Sequence, residues 1–291
     1  MTVAPWRIFT VTVRASHRIG PSFVRVTFTG PDLDRFADNG FDQRIKLAFP
    51  LPGADGADLP SGPDWYPRWR ALPDDRRNPI RTYTVRAVRP HLSEVDVDLV
   101  LHGDAGPASR WAGRARPGDR IAIVGPDAGF PGDHGGVEFR PPPNGPVLLA
   151  GDETAAPAIC AILERLPAGA HGHAYVEVPE AGDSLPVKGP RGLAVSWLPR
   201  GHEPPGSRLM PAIETTTAPG SRTETLARND DSELLWDIPT GTPTDAPLYA
   251  WLAGEAGVIR RLRRHLLGHR GLDRRAVAFM GYWRLGRAEN A

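Results

Sequence analysis

Arg81-Thr82-Tyr83-Thr84-Val85-Arg86 lies between a segment rich in Pro, Gly and Asp (51–79) and a series of alternating apolar runs. A period of two predicts a strand, with Arg81, Tyr83 and Val85 on one face and Thr82, Thr84 and Arg86 on the other. A guanidinium and an aromatic ring two residues apart suit a ligand that carries both a phosphate and a flat ring. Arginine grips phosphate through a bidentate fork, and tyrosine can stack on a ring. Thr84 adds a hydroxyl and a backbone N–H beside that ring. The same six residues also describe an edge strand with an exposed arginine and a half-buried tyrosine. On the hexapeptide alone the two readings stand level.

Outward from this strand, the first half continues as short alternating runs. Phe9, Val11 and Val13 share a face, as do Val24, Val26 and Phe28. Ile45, Leu47 and Phe49 repeat the pattern, followed by Val95, Val97, Leu99 and Leu101. Many short strands separated by Gly and Pro predict a closed antiparallel barrel. Segment 51–79, with Trp65, Tyr66 and Trp69, reads as a surface loop pinned by aromatics or as a flap beside a ligand. Pro141-Pro142-Pro143 can continue neither a helix nor a central strand, so the domain junction is placed there, giving domains 1–142 and 143–291.

The second half changes period. Val147-Leu148-Leu149-Ala150 reads as a buried strand, Gly151-Asp152-Glu153-Thr154 as a turn, and Ile159, Ile162, Leu163 and Leu166 as a helix. Further strands are predicted at 174–178, 193–198, 248–253 and 276–280, with a basic helix at 258–267 before the last. Strands alternating with helices imply a parallel sheet covered on both faces, with ligands beyond the carboxyl ends of its strands. Segment 201–246 reads as surface loop with one or two helical turns, and no chemistry is assigned to it.

Five motifs stand in order along the chain: RTYTVR at 81–86, HGDAGPASRWA from His102, LLAGDETAAPAI from Leu148, WLAGEAG from Trp251 and GYWRLG from Gly281. The series resembles the siderophore-interacting protein family, FAD-dependent ferric-siderophore reductases of the ferredoxin-reductase-like group. The likeness runs from about Val11 to Gly286. It implies an antiparallel β-barrel FAD-binding domain followed by an α/β parallel-sheet NAD(P)-binding domain. It also implies that Arg81 holds the FAD pyrophosphate together with Gly106, Ala108 and Ser109, where a proline at the first helical position leaves N–H groups aimed outward. Tyr83 and Thr84 would set the ring edge where the hydride arrives, with Val100 and His102 lining the cofactor. A plain turn with a serine cap remains the alternative for the Gly106 segment, and a structural or solvated role for His102.

The same resemblance assigns NAD(P)H to Gly151, Asp152 and Thr154, and to Gly254 and Glu255. Read from the residues, Asp152 and Glu153 should repel a pyrophosphate, and Asp152 or Thr154 makes a helix cap. Thr154 is taken as the phosphate contact. Arg200 suits the 2′-phosphate of NADPH, whereas Glu177 and Glu180 at the preceding strand end would favour NADH. The cofactors are thus FAD with NADPH or NADH, and the balance is put on NADPH. Trp283 is expected to shield the flavin. Lys46, with Arg44 on the strand face opposite Ile45 and Leu47, joins Arg284 as a basic cradle for an anionic ferric siderophore, against a solvated barrel face as the alternative.

Composition narrows the choice. The chain has 291 residues and a formal net charge of +1, which argues against nucleic acid as a partner. No apolar run approaches a membrane span of roughly 20 residues, and the first residues lack a signal peptide's order, so a cytoplasmic monomer without stable membrane association is expected. Cys160 is the single cysteine, which rules out a cysteine-ligated iron–sulfur cluster within one chain. No metal site is assigned; His171-Gly172-His173 is too sparse for one. A general flavin or quinone reductase, and a siderophore-binding protein without redox activity, remain the competing readings.

Overall fold

A computed structural model of the chain describes residues 3–102, 106–217, 235–239, 241 and 246–287. Two compact units part between Val137 and Glu138, just ahead of the triple proline.

The first unit is built on one antiparallel sheet. Its strands are β1 (Trp6–Arg18), β2 (Phe23–Thr29), β3 (Arg44–Ala48), β4 (Ile80–Thr84), β5 (Ala87–Arg89), β6 (Glu94–Val100) and β7 (Arg120–Pro126), in the order β4-β3-β7-β1-β2-β6-β5. The alternating residues read from the sequence form its core: Phe9, Val11, Val26, Phe28, Ile45, Leu47, Val95, Val97 and Leu99 are all buried together. β7, absent from the expected strands, completes that core with Ile121 and Ile123. Among the described residues, the barrel does not close through a last strand pairing. β4 and β5 are the two edges, and the chain itself joins them through Val85 and Arg86. The Val85 N–H donates to Gln43 O, and the Arg86 N–H to Asp96 O. Covalent continuity therefore stands in for a seventh pairing.

Among the described residues this unit also carries the short α-helices α1 (Trp65–Arg70) and α2 (Pro107–Ala112). The first lies within segment 51–79, where proline and glycine conceal it in the sequence. Trp69 is fully buried and donates its indole N–H to Asn78 O at 3.0 Å, while Asn78 Nδ2 donates to Phe49 O at 2.9 Å. Aromatics do pin this loop.

The second unit holds β8 (Val147–Gly151), α3 (Ala156–Arg165), β9 (His171–Val178), β10 (Gly192–Pro199), α4 (Leu209–Thr216), β11 (Trp236–Asp237), β12 (Tyr249–Glu255), α5 (Ala256–Arg263) and β13 (Val277–Trp283). The strand order is β10-β9-β8-β12-β13-β11. All pairings are parallel except that of the two-residue β11, which runs antiparallel to β13. The sheet is thus parallel with one short reversed edge. α4 and α5 pack on the face carrying Leu148, Ala150, Leu252 and Phe279. The opposite face meets α3: a Cβ on Gly151 would lie 2.5 Å from Ala155 Cβ and 2.6 Å from Ala253 O. Only glycine admits so close an approach of strand and helix at that point.

Candidate functional site

Among the described residues, those of the five motifs fall into two groups, one in each unit. In the first, β4 pairs with β3 so that Arg81 faces Leu47, Thr82 faces Lys46, Tyr83 faces Ile45 and Thr84 faces Arg44. Directly paired residues share a face, so Arg81 and Tyr83 lie on the side of the buried Ile45 and Leu47. Tyr83 is half-buried against the first unit's core. Arg81 is half-buried, with one guanidinium N–H on Ile80 O at 2.7 Å. Thr84 is buried, and Val85 too, because the strand ends at Thr84 and the chain turns inward toward β5. The second arginine of the motif serves the fold, since Arg86 lies 3.6 Å from the buried carboxylate of Asp98.

Lys46 and Arg44 share a face opposite Ile45 and Leu47, as expected, and so lie on the other face of the sheet from Tyr83. Lys46 Nζ is 3.5 Å from Thr82 Oγ1 and 5.9 Å from the centroid of the Tyr66 ring.

Helix α2 follows Gly106, whose extended φ of −122° and ψ of 152° form its N-cap. Trp111 seats the helix on the core, 6.2 Å from the Phe28 ring and 5.3 Å from the Phe49 ring. Ala108 is buried, and the Ser109 hydroxyl accepts the His102 N–H at 2.9 Å. His102 itself is exposed, and Val100 is buried at the end of β6. Gly106 needs no special dihedral, and a Cβ there would meet nothing within 4 Å. Residues 103–105 of this motif lie outside the described residues.

The second group centres on Asp152. Its carboxylate accepts from the Thr154 N–H (2.9 Å), the Thr154 hydroxyl (2.5 Å), the Glu255 N–H (2.7 Å) and the Trp283 indole N–H (2.8 Å). Gly254 makes room: its φ is +148°, and a Cβ there would lie 2.6 Å from Asp152 Oδ2. Glu255 caps α5 by accepting the Val258 N–H at 2.9 Å. Three motifs read separately in the sequence are therefore one cluster, held by a buried carboxylate at the carboxyl ends of β8, β12 and β13.

Several of the expected site residues hold one another in place. Both donors of Thr154 are spent on Asp152 rather than turned toward a phosphate. Trp283 gives its indole N–H to Asp152. Arg200 forms a bidentate pair with the buried Glu153, at 2.6 and 2.7 Å, and lies 3.8 Å from Glu177. Glu177 accepts three backbone N–H groups, from Gly206 (2.7 Å), Arg208 (2.9 Å) and Leu209 (2.8 Å), and so fixes the loop leading into α4. Glu180 forms a capping box with Asp183. Nothing in the sequence signals the Glu153–Arg200 pair, since its partners are 47 residues apart. Arg284 is half-buried just past β13.

Burial, and then the charge of Glu153, push the Asp152 carboxyl up to about 7, against the hydrogen bonds from Thr154 and Trp283. Between the ordinary aspartate range and about pH 7, the folded chain holds a proton that the unfolded chain has released. Stability from this group is therefore fullest below that window, falls as pH rises through it, and is flat above. Relative to Asp152→Asn, the wild type should lose on the order of 1 kcal/mol per pH unit within the window, measured by thermal melts between pH 5 and 8.

Among the described residues, no group of three or more His, Cys, Asp or Glu is placed to hold a metal, and no helix is long and apolar enough to cross a membrane.

An antiparallel sheet unit followed by a parallel α/β unit is a ferredoxin-reductase-like fold. The fold matches that of a ferredoxin reductase in carbazole 1,9a-dioxygenase, with a TM-score of 0.61 at 13% identity, over 97% of this chain and 71% of that one. Residues 12–130 match the siderophore-interacting FAD-binding domain and residues 145–286 the siderophore-interacting protein domain, so the chain belongs to the siderophore-interacting protein family. It is 34% identical to the uncharacterized protein Rv2895c of Mycobacterium tuberculosis over 280 residues, 95% of this chain and 90% of that one. It is 29% identical to the ferric vibriobactin reductase ViuB of Vibrio cholerae over 273 residues, 94% of this chain and 88% of ViuB. The structure of a siderophore utilization protein from T. fusca matches with a TM-score of 0.74 and 30% identity, covering 99% of this chain and 96% of that one.

Proposed function

We propose that the chain is an NAD(P)H-dependent, FAD-containing reductase that acts on ferric siderophores in the cytoplasm. The observation that carries this reading is the pairing of Arg81 and Tyr83 on one face of an edge strand, within a domain that matches an FAD-binding family. Likeness to ViuB, a ferric vibriobactin reductase, supports the substrate class.

The residues fit the cofactor. Arg81 supplies a guanidinium for the pyrophosphate, and the open space at Gly106 leaves its backbone approachable. Tyr83 offers a ring to stack on the flavin, with Thr84 beside it. FAD, when bound, supplies acceptance of a hydride and donation of single electrons. The protein's own part is to bind, orient and screen. Reduction of the iron to Fe(II) weakens its hold on hard oxygen donors, which releases the metal.

The test is an anaerobic absorbance series. NADH or NADPH should bleach the flavin band, and a ferric chelate added next should restore it. A yellow protein that prefers quinone or free flavin to ferric chelates would instead be a general reductase. One that binds chelate but never oxidises a nicotinamide would be a binding protein.

Lys46 is proposed to receive the anionic chelate in the first unit. Replacing it with Ala should raise the KM for anionic ferric chelates by about threefold, through loss of one charge contact of roughly 0.5–1 kcal/mol, with FAD content unchanged. Identical kinetics with anionic and neutral chelates would remove the assignment.

A further inference from the structure

The carboxyl ends of β8, β9 and β10 gather three buried acids, Asp152, Glu153 and Glu177, and one guanidinium, Arg200. Arg200 is the residue at which the sequence leads one to expect a 2′-phosphate, yet its fork is filled by Glu153 and its side chain is only 10% exposed. Turning it outward would strand Glu153 in the interior without its cation, a strongly unfavourable exchange. Glu177 cannot release it either, because both its oxygens anchor the backbone between Gly206 and Leu209. The charges of the Glu153–Arg200–Glu177 triad sum to minus one, before Asp152 is counted. A dianionic 2′-phosphate placed there meets net repulsion, whereas an uncharged ribose hydroxyl does not.

We propose that the Glu153–Arg200–Glu177 triad is a specificity device that selects against a 2′-phosphate, so that the protein uses NADH in preference to NADPH. The proposal rests on the reading that a nicotinamide dinucleotide binds at these strand ends. It reverses the preference that Arg200 suggests in the sequence alone. Arg208 is the other cation of the neighbouring loop. It is half exposed and pairs with Glu203 at 2.7 Å, and it is the rival candidate for reading a phosphate.

Rapid mixing of the FAD-loaded protein with each nucleotide, without oxygen, measures the rate and apparent Kd of flavin bleaching, and calorimetric titration with NAD+ and NADP+ measures binding apart from turnover. The expected result is an efficiency for NADH at least about tenfold above that for NADPH, the cost of one like-charge contact. Glu153→Gln keeps the side chain's shape and removes one negative charge. It should tighten NADPH more than NADH and shrink the ratio severalfold, whereas a purely structural role would move both nucleotides together. Should Glu153→Gln fail to fold, the wild-type ratio still decides. Equal use of the two nucleotides, a preference for NADPH that Arg208→Ala abolishes, or an unchanged ratio in Glu153→Gln would each overturn the proposal. Failure of both nucleotides to bind would overturn the dinucleotide site itself, and is told apart by the absence of any saturable effect.

Discussion

Protein carrying Arg81→Ala and Tyr83→Ala should purify without colour. The two side chains lie on one face of β4, opposite Leu47 and Ile45, and each is half-buried rather than lost in the core. Charge-assisted hydrogen bonds from a guanidinium to phosphate contribute about 1.5–3 kcal/mol, and ring stacking about 0.5–1.5 kcal/mol. Losing both should weaken FAD binding by roughly 30- to 2,000-fold, enough to strip the cofactor during purification. Tyr83→Phe keeps the ring and should keep the colour. The readout is flavin absorbance per chain, with the thermal transition confirming that the barrel has folded. A double variant that stays fully yellow would show that this face does not hold the flavin.

The second large effect concerns stability. Asp152→Ala should lower the melting temperature of the second unit by about 10 °C. Four donors from Thr154, Glu255 and Trp283 converge on this carboxylate. Removing it leaves buried N–H and O–H groups unpaired, at about 1–3 kcal/mol each where water cannot reach them. Relief from burying a carboxyl whose pKa is pushed up to about 7 offsets part of that loss. A net loss of roughly 3–5 kcal/mol remains, and a unit of this size melts about 2–4 °C lower per kcal/mol. Calorimetry reads the shift in melting temperature. A shift under about 2 °C would mean that Asp152 is not the cluster's organising group. FAD content serves as the control, since Asp152 belongs to the second unit.

Much of this architecture is legible in the residues. The alternation of Phe9, Val11 and Val13, and of Val95, Val97 and Leu99, marks the strands that fill the first core, because a half-buried sheet imposes a period of two. The change to buried runs such as Val147-Leu148-Leu149-Ala150 marks the parallel sheet, because both of its faces are covered. Helix α1 escapes such a reading because proline and glycine dominate its surroundings, and Trp69's anchor to Asn78 is a tertiary contact. The manner in which the barrel closes is equally hidden. Alternation reports which face of a strand is buried, not whether its last edge finds a partner.

By itself, the sequence determined the two-domain order, the flavin-family motif at Arg81 and Tyr83, and the positions of the strand-end turns. Those properties follow from local periodicity and from residue types close together in the chain. Only the tertiary structure decided which charges are available. It joined Asp152 to Trp283, and Glu153 to Arg200, across long stretches of chain. A buried charge must be neutralised by whatever the fold brings near it, and that partner is set by packing rather than by neighbours in sequence.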